Sequence, residues 1–384
     1  MKQLLDLVKL ETQRQKGQIN LIASENQTPQ RILDLLSTSL SNKYAEGYGN
    51  NRYYAGAVNV SQIEELAINN AKKVFSDKFD VNVQALSGSP ANLAVYNAFL
   101  NPGDSILSLN LNSGGHLSHG SSVSFPSKIF NVLKYGLNKE ELIDLNQIQS
   151  VLKDEQQKGK PVKMLIVGYS GYCRDLDYKE LKRICQLFGT HLHVDFSHTA
   201  GLVAAKLVND PFEYADSLMC TTHKTLRGPR GALIFSKQGD KVNKSVFPGL
   251  QGGPHMNNIA GICATLIEAQ TPEYVQYQKQ VLENRAIFEK QFKNKNILFQ
   301  KGSDNHMLII KQLTDGGVVE KALEDVGIIV NRQKLQHDKQ KPTGIRIGSQ
   351  FITSQGYDEK ECTYTANQII EIIREVEGQD WGNL

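Results

Sequence analysis

The chain reads as an α/β protein, with a large domain on a mostly parallel sheet followed by a smaller C-terminal α+β unit. Between residues 164 and 235, short β-rich runs alternate with helical spacing, the rhythm of strands joined by crossover helices. Ser170, Asp195, His198 and Lys224 fall at or just past the ends of those runs, and open parallel sheets gather ligands beyond the carboxyl ends of their strands. After residue 300 a second alternation of strand and helix begins. A length of 384 residues passes the roughly 250 to 300 at which single cores stop growing, so two domains are expected.

Taken in order, residues 3–12 set Leu4, Leu5, Val8 and Leu10 near helical spacing. So short an amphipathic arm must bury its stripe on something else, and another subunit is the expected partner. Residues 19–25 (INLIASE) form an apolar turn into the core, and 30–40 a helix. Residues 42–56 (NKYAEGYGNNRYYAG) hold four tyrosines and three glycines among few aliphatic residues, a loop rather than core. A helix is expected at 61–75 and a strand at 81–86, ending in Ser87-Gly-Ser-Pro-Ala-Asn92 ahead of a helix to Leu100. Gly88 and Ser89 thus stand at a helix start, where backbone amides can cradle a phosphate.

The 105–109 strand leads into Asn112-Ser-Gly-Gly-His-Leu-Ser-His-Gly-Ser121. Strands follow at 164–169, 191–196, 217–220 and 232–235, with a helix at 178–188. A long helical pattern from 259 to 292 is interrupted near Thr271-Pro272. The C-terminal unit then runs from an alternating stretch at 306–313 through a helix at 318–326, strands at 328–331 and 345–348, and a helix at 359–376. The expected division is an arm at 1–20, a large domain at 21–262 and a small domain at 263–384.

Lys plus Arg (43) nearly balances Asp plus Glu (40), and the charge of +3 is too mild for a nucleic-acid footprint. Small-molecule partners are expected instead. Five cysteines without a Cys-x-x-Cys pair suit reduced thiols, not a disulfide frame or a metal site. The first residues carry neither a signal-peptide core nor a spanning run, so no membrane partner and a cytoplasmic location are expected.

The chemistry centres on Cys220-Thr-Thr-His-Lys-Thr-Leu-Arg-Gly-Pro-Arg-Gly231. The positive neighbours of Lys224 are expected to favour its neutral amine, the nucleophilic state needed to condense with an aldehyde cofactor. Nine blocks, in order along nearly the whole chain, carry a resemblance: LIASEN (21–26), NKYAEGY (42–48), RYYAG (52–56), SGSPAN (87–92), GGHLSHG (114–120), VDFSHTAGLVAA (194–205), TTHKTLRGPRG (221–231), VFPGLQGGPH (246–255) and GIRIG (344–348). Together they closely resemble serine hydroxymethyltransferase, a pyridoxal-phosphate enzyme of fold type I.

The resemblance implies reversible transfer of the serine hydroxymethyl group to tetrahydrofolate, giving glycine and 5,10-methylenetetrahydrofolate. It assigns Lys224 to an imine with pyridoxal 5'-phosphate and Asp195 to the pyridine nitrogen, with His116 stacked on the ring. His198 and Ser170 would lie beside the ring, and Arg230 and His223 would tune the pocket. Gly88 and Ser89 would hold the phosphate together with Gly252 and Gly253, which reach across from a second subunit, as does the tyrosine-rich loop with Tyr44. A homodimer with shared active sites follows. Arg346 would clamp the substrate carboxylate with help from Ser24 and Tyr54. Leu117 and Tyr53 would face the folate. Glu46, expected to be desolvated by Tyr44, Tyr48, Tyr53 and Tyr54, would handle the proton of the substrate hydroxyl.

Three stretches depart from the family pattern. Residues 331–344 (NRQKLQHDKQKPTG) are short and lack the asparagine-and-proline character of the folate loop, Gly-Ser-Gln-Phe replaces Gly-Thr-Pro-Ala at 348–351, and 237–244 is trimmed. The altered 331–351 region motivates an alternative: a folate-independent aldolase for β-hydroxy amino acids, or a hydroxymethyltransferase specialised for another amino acid.

Overall fold

In the computed structural model, which describes residues 1–378, the apolar runs become a seven-stranded sheet. Ser105–Leu109, Val162–Gly168, His191–Asp195 and Ser217–Thr221 are almost wholly buried, as strands covered on both faces must be. They run parallel with Asn131–Tyr135 at one edge. Ala232–Ser236 returns antiparallel beside Ser217–Thr221 and carries antiparallel Asp80–Asn82 at the far edge. The expected strand at 81–86 is therefore shorter, and residues 83–86 continue past the ladder, tied to it by the Ala232 N–H donating to the Ala85 carbonyl at 3.0 Å.

Because successive side chains on a strand point to opposite faces, the sheet divides its apolar residues between two cores. Leu107, Leu165, Val167, Leu218 and Phe235 face one, and Ile106, Met164, Ile166, Met219 and Ile234 face the other, under the Gly88–Phe99 helix. The covering helices have clear local causes. Tyr178–Phe188 starts where the Asp177 carboxylate accepts the Glu180 N–H at 2.9 Å and stops at Gly189 with φ +63°. It buries Tyr178, Leu181, Ile184 and Cys185, one stripe at helical spacing. The helix expected over 30–40 ends at Leu36 and resumes as a single tight turn, Ser39–Asn42. The hydroxyls of Ser37 and Thr38 donate back to the carbonyls of Asp34 and Leu35, competing with the helical ladder.

A third core gathers Phe288, Phe292, Leu308, Ile310, Ile345, Ile347 and Ile369 around the antiparallel strands Met307–Ile310, Gly344–Gly348 and Asn331–Gln333. Ile19–Asn20 pairs parallel with Ile328–Ile329, and Leu21 is buried in this same core. We place the start of the C-terminal unit between Met256–Glu268, which packs on Val58–Val74, and Pro272–Asn294, which packs on Glu359–Glu377. Its expected end, 379–384, lies outside the described residues.

Two N-terminal segments contrast with these cores. The Lys2–Lys16 helix buries nothing, and Leu4, Leu5, Leu7, Val8 and Leu10 are each more than half exposed. The tyrosine-rich stretch is more than a loop: Gly47–Tyr48 pairs antiparallel with Asn51–Arg52. A Cβ on Gly47 would stand 2.2 Å from the Asn51 carbonyl oxygen, at φ +97°, so only glycine serves there. Arg52 forms a buried ion pair with Glu64, whose other oxygen accepts from Gln84 Nε2 at 2.6 Å. Among the described residues, no helix is long and apolar enough to cross a membrane.

Candidate active site

The strand ends open into a cavity of about 720 Å³ between the large sheet and the C-terminal unit. Lys224 reaches it from a closed turn after Ser217–Thr221. Gly228 N–H donates to the Thr222 carbonyl at 2.7 Å, and Arg227 N–H to that of Lys224 at 3.0 Å. Arg227 adopts φ +69°, a left-handed conformation costly for a side chain, with its guanidinium over the Tyr277 ring at 4.6 Å. Asn26 holds the turn from the other side, donating to the Lys224 carbonyl at 2.9 Å. The amine is brought down to about 8. Burial is the main cause; Asp195 opposes it and Arg346 and Arg230 reinforce it. The direction expected from the cationic neighbours holds, but desolvation comes first.

Asp195 ends the His191–Asp195 strand with its side chain 9% exposed. Burial would raise its carboxyl, but hydrogen bonding to His119 and nearby cationic charge outweigh this and hold it well below the usual carboxylate range. His119 Nε2 lies 3.0 Å from Oδ2, Asn92 Nδ2 donates to the same oxygen at 2.9 Å, and the Ser197 hydroxyl donates to Oδ1 at 2.6 Å. His116 stands on a turn that needs its glycines. A Cβ on Gly114 would meet the Gly171 carbonyl oxygen at 2.1 Å, and one on Gly115 that of Leu109 at 2.2 Å. Burial first, then His119, lowers His116 to about 4, leaving a neutral ring. His198, buried against His306 with ring centroids 5.5 Å apart, is pushed well below its ordinary value by burial and by the Lys224 and Arg346 charges.

At the other end, Ser87, Gly88 and Ser89 line the cavity at the start of the Gly88–Phe99 helix. A Cβ on Gly88 would come within 2.7 Å of Thr221 Cγ2. Arg346, on the Gly344–Gly348 strand, is 8% exposed and lowered by burial to about 10. Its Nε donates to Asn331 Oδ1 at 3.0 Å and its Nη1 to the Ser170 carbonyl. Among the described residues three of its five N–H donors have no partner and remain for a ligand. Ser24, Leu117, Ser170, His223 and Arg230 also line the cavity, Arg230 from its exposed rim.

Six anticipated residues stand elsewhere. Tyr44, Glu46, Tyr53, Tyr54, Gly252 and Gly253 form no part of this cavity's wall. They cluster with one another: a Cβ on Gly253 would meet the Tyr44 ring at 2.9 Å, and one on Gly252 would sit 3.4 Å from Glu46 Oε1. Within one chain Tyr44, Tyr53 and Tyr54 are 54%, 76% and 44% exposed, while Glu46 and Tyr48 between them are half-buried. Sequence reasoning missed His119, Asn92, Ser197 and Thr221. All four lay inside quoted blocks, Asn92 closing SGSPAN, His119 the second histidine of GGHLSHG, Ser197 within VDFSHTAGLVAA and Thr221 opening TTHKTLRGPRG, but nothing local marked Asn92 and His119 as pointing at Asp195.

A family profile for serine hydroxymethyltransferase matches residues 1–369. The chain belongs to the serine hydroxymethyltransferase family. It is 42% identical to the serine hydroxymethyltransferase of Francisella philomiragia subsp. philomiragia over 383 residues, covering 97% of this chain and 90% of the relative. With that of Desulfotalea psychrophila the identity is 43% over 389 residues, covering 98% and 89%. Fold type I and pyridoxal-phosphate dependence come with the family, and the chain is a transferase of that kind.

The cavity fits the cofactor on its own terms. Ser170 Oγ, Thr221 Oγ1 and His223 Nδ1 are buried and without a hydrogen-bond partner among the described residues, which a polar occupant would correct. A carboxylate held ionised suits a protonated pyridine nitrogen, and the side-chain-free start of the Gly88–Phe99 helix suits a phosphate.

Proposed function

We propose that this chain transfers the hydroxymethyl group of serine to tetrahydrofolate, releasing glycine, with pyridoxal 5'-phosphate held on Lys224. One observation carries it: a buried lysine brought down to about 8 shares a cavity with a buried, ionised Asp195 and a buried Arg346. When bound, the cofactor supplies the electron sink that accepts the charge developing at the substrate α-carbon.

The chain's own groups do the rest. Lys224 would hold the cofactor through an amine whose neutral form is populated much nearer neutrality than that of an ordinary lysine. Asp195 stays ionised across the physiological range and so keeps a proton on the pyridine nitrogen. His116, neutral, covers the ring face, while His198 and Ser170 stand beside it. Ser89 and the Gly88 amide take the phosphate. Arg346 binds the substrate carboxylate with donors already stripped of water, which strengthens each bond, and Ser24 assists. Glu46 accepts the proton of the substrate hydroxyl as the Cα–Cβ bond opens.

Glu46, Tyr44, Tyr53, Tyr54, Gly252 and Gly253 act in the second subunit's cavity, so the working unit is a homodimer. Five buried, unpaired thiols support placing the reaction in the cytoplasm. Leu117, 48% exposed at the cavity mouth, supports a folate ring lying there.

One observation favours the alternative. The short 334–343 segment is drawn down onto the large domain: Gln336 Oε1 accepts from Ser113 Oγ and Leu137 N–H, both at 2.8 Å, and Asp338 caps Leu335 and Thr343. Glycine release from serine, followed with and without tetrahydrofolate, separates the two. We expect a rate that depends steeply on folate. Equal rates would replace the transferase with a folate-independent aldolase.

A further inference from the structure

Asn92 stands at the junction of two groups that the reaction needs and a third that it does not use. Its amide nitrogen donates to Asp195 Oδ2 at 2.9 Å and to Ser118 Oγ at 2.9 Å. Its amide oxygen meets His193 Nε2 at 3.0 Å. This orientation is forced, because an ionised carboxylate only accepts hydrogen bonds. With both amide hydrogens spent, the oxygen must accept, and His193 must donate through Nε2.

A chain of consequences runs outward in both directions. His193 is fully buried on the His191–Asp195 strand, and burial, the leading cause, lowers it to about 3, so it is neutral. A neutral ring that donates from Nε2 accepts at Nδ1, where Ser217 Oγ lies at 2.9 Å. Ser217 therefore donates to His193 and accepts from His191 Nε2 at 2.8 Å. On the other side, Ser118 Oγ accepts from Asn92 and must pass its own hydrogen on to His116 Nδ1, 2.7 Å away. That nitrogen also accepts from the Ser118 N–H at 3.1 Å. His116 thus carries its hydrogen on Nε2.

We propose that Asn92, held by His193, is a positioning residue that sets Asp195 and His116 in register and fixes both histidines in the Nε2–H tautomer. The charge on Asp195 dictates the direction of every hydrogen bond in the network. His193 matters through what it gives Asn92: without a donor opposite its amide oxygen, that oxygen is buried unpaired and the amide is held only through its nitrogen, so it can swing away from Asp195. The carboxylate would then have a weaker donor, and the proton on the pyridine nitrogen would be held less firmly. The proposal rests on Asp195 facing that nitrogen, as argued above, but its tautomer test does not.

His193→Leu and His193→Gln holoenzymes separate a positioning role from simple packing, since glutamine can still donate to Asn92 from a comparable position. For His193→Leu we expect kcat to fall about tenfold with the serine KM within about twofold, the signature of an interaction that matters after binding. The pH midpoint of the cofactor's visible absorption band should also move by about half a unit or more, and His193→Gln should restore both. An unchanged kcat and midpoint in His193→Leu would overturn the proposal.

Should His193→Leu fail to fold, nitrogen-15 histidine spectra of the wild-type holoenzyme decide. His193, assigned by its missing signal in His193→Gln, should show a protonated Nε2 and a bare Nδ1. The opposite tautomer, or a charged ring, sinks the idea. Borohydride reduction and peptide mapping of the same samples reports separately on whether the cofactor sits on Lys224.

Discussion

The two halves of the proposed site are built differently. Lys224, Asp195 and Arg346 are brought together within one chain, the groups are buried, and their values are moved well away from those in water. Around Glu46 and Gly252 the same chain presents tyrosines to solvent, and nothing there faces its own cavity. Yet that second region is not slack, for under the exposed rings the buried Arg52–Glu64 pair fixes the backbone. A rigid, polar, aromatic surface without a cavity of its own is what a half-site needs if a second copy is to complete it.

The sharpest way to break this contrast is to mix two defective proteins. Lys224→Ala should cost on the order of 10⁴-fold in kcat, and Glu46→Gln should leave little turnover alone. Co-refolded in equal amounts they should recover about a quarter of wild-type activity, since half the dimers are mixed and each then holds one intact site. Activity measured after mixing that stays at the level of the two parents would mean that each chain serves itself.

The foundation of the exposed half comes next. Arg52→Ala leaves the Glu64 carboxylate buried without its partner, which should lower stability by about 3 to 5 kcal/mol. Tyr53→Phe should lie within about 0.5 kcal/mol of wild type. Urea denaturation distinguishes them, and equal midpoints would show that the ion pair does not anchor the hairpin. In the buried half, Arg346→Lys keeps the charge but loses the two-pronged geometry, at about 1.5 to 3 kcal/mol in serine binding. Steady-state kinetics should therefore show KM for serine raised roughly 10- to 100-fold.

The smallest effect is a shift along the pH axis. Because burial lowers Lys224 to about 8, its reactive neutral form grows as pH rises through that value. Cofactor capture by the apoprotein, followed by absorbance, should accelerate with a midpoint near 8. A midpoint in the ordinary lysine range, about 10.4, would mean that the amine is solvated.

Much of this was legible in the residues. The alternation between 164 and 235, the helix at 178–188 and the strand-end placement of Asp195 and Lys224 follow from periodicity and capping, which are local. Harder to see was how Lys224 is tuned. Adjacent arginines suggested charge as the cause, whereas burial by segments far away in the chain is the larger effect. The companions of Asp195 were hidden for the same reason. Asn92 lies 103 residues away and His119 lies 76, and no spacing rule connects them. The tyrosine-rich stretch reads as a plain loop in the sequence because Arg52 finds its buried partner, Glu64, on a different element.

From the residues alone, then, came most of the elements, the candidates for the chemistry, and through the ordered motifs the family to which the chain belongs. Strand and helix periods, caps and glycine turns are written over a few residues, and so are the motif blocks. It took folding to settle which of those residues share a cavity, which remain outside it, and how far each is driven from its behaviour in water. Desolvation and hydrogen-bond direction depend on everything that surrounds a group, and most of what surrounds Asp195, Asn92 and Lys224 comes from elsewhere in the chain.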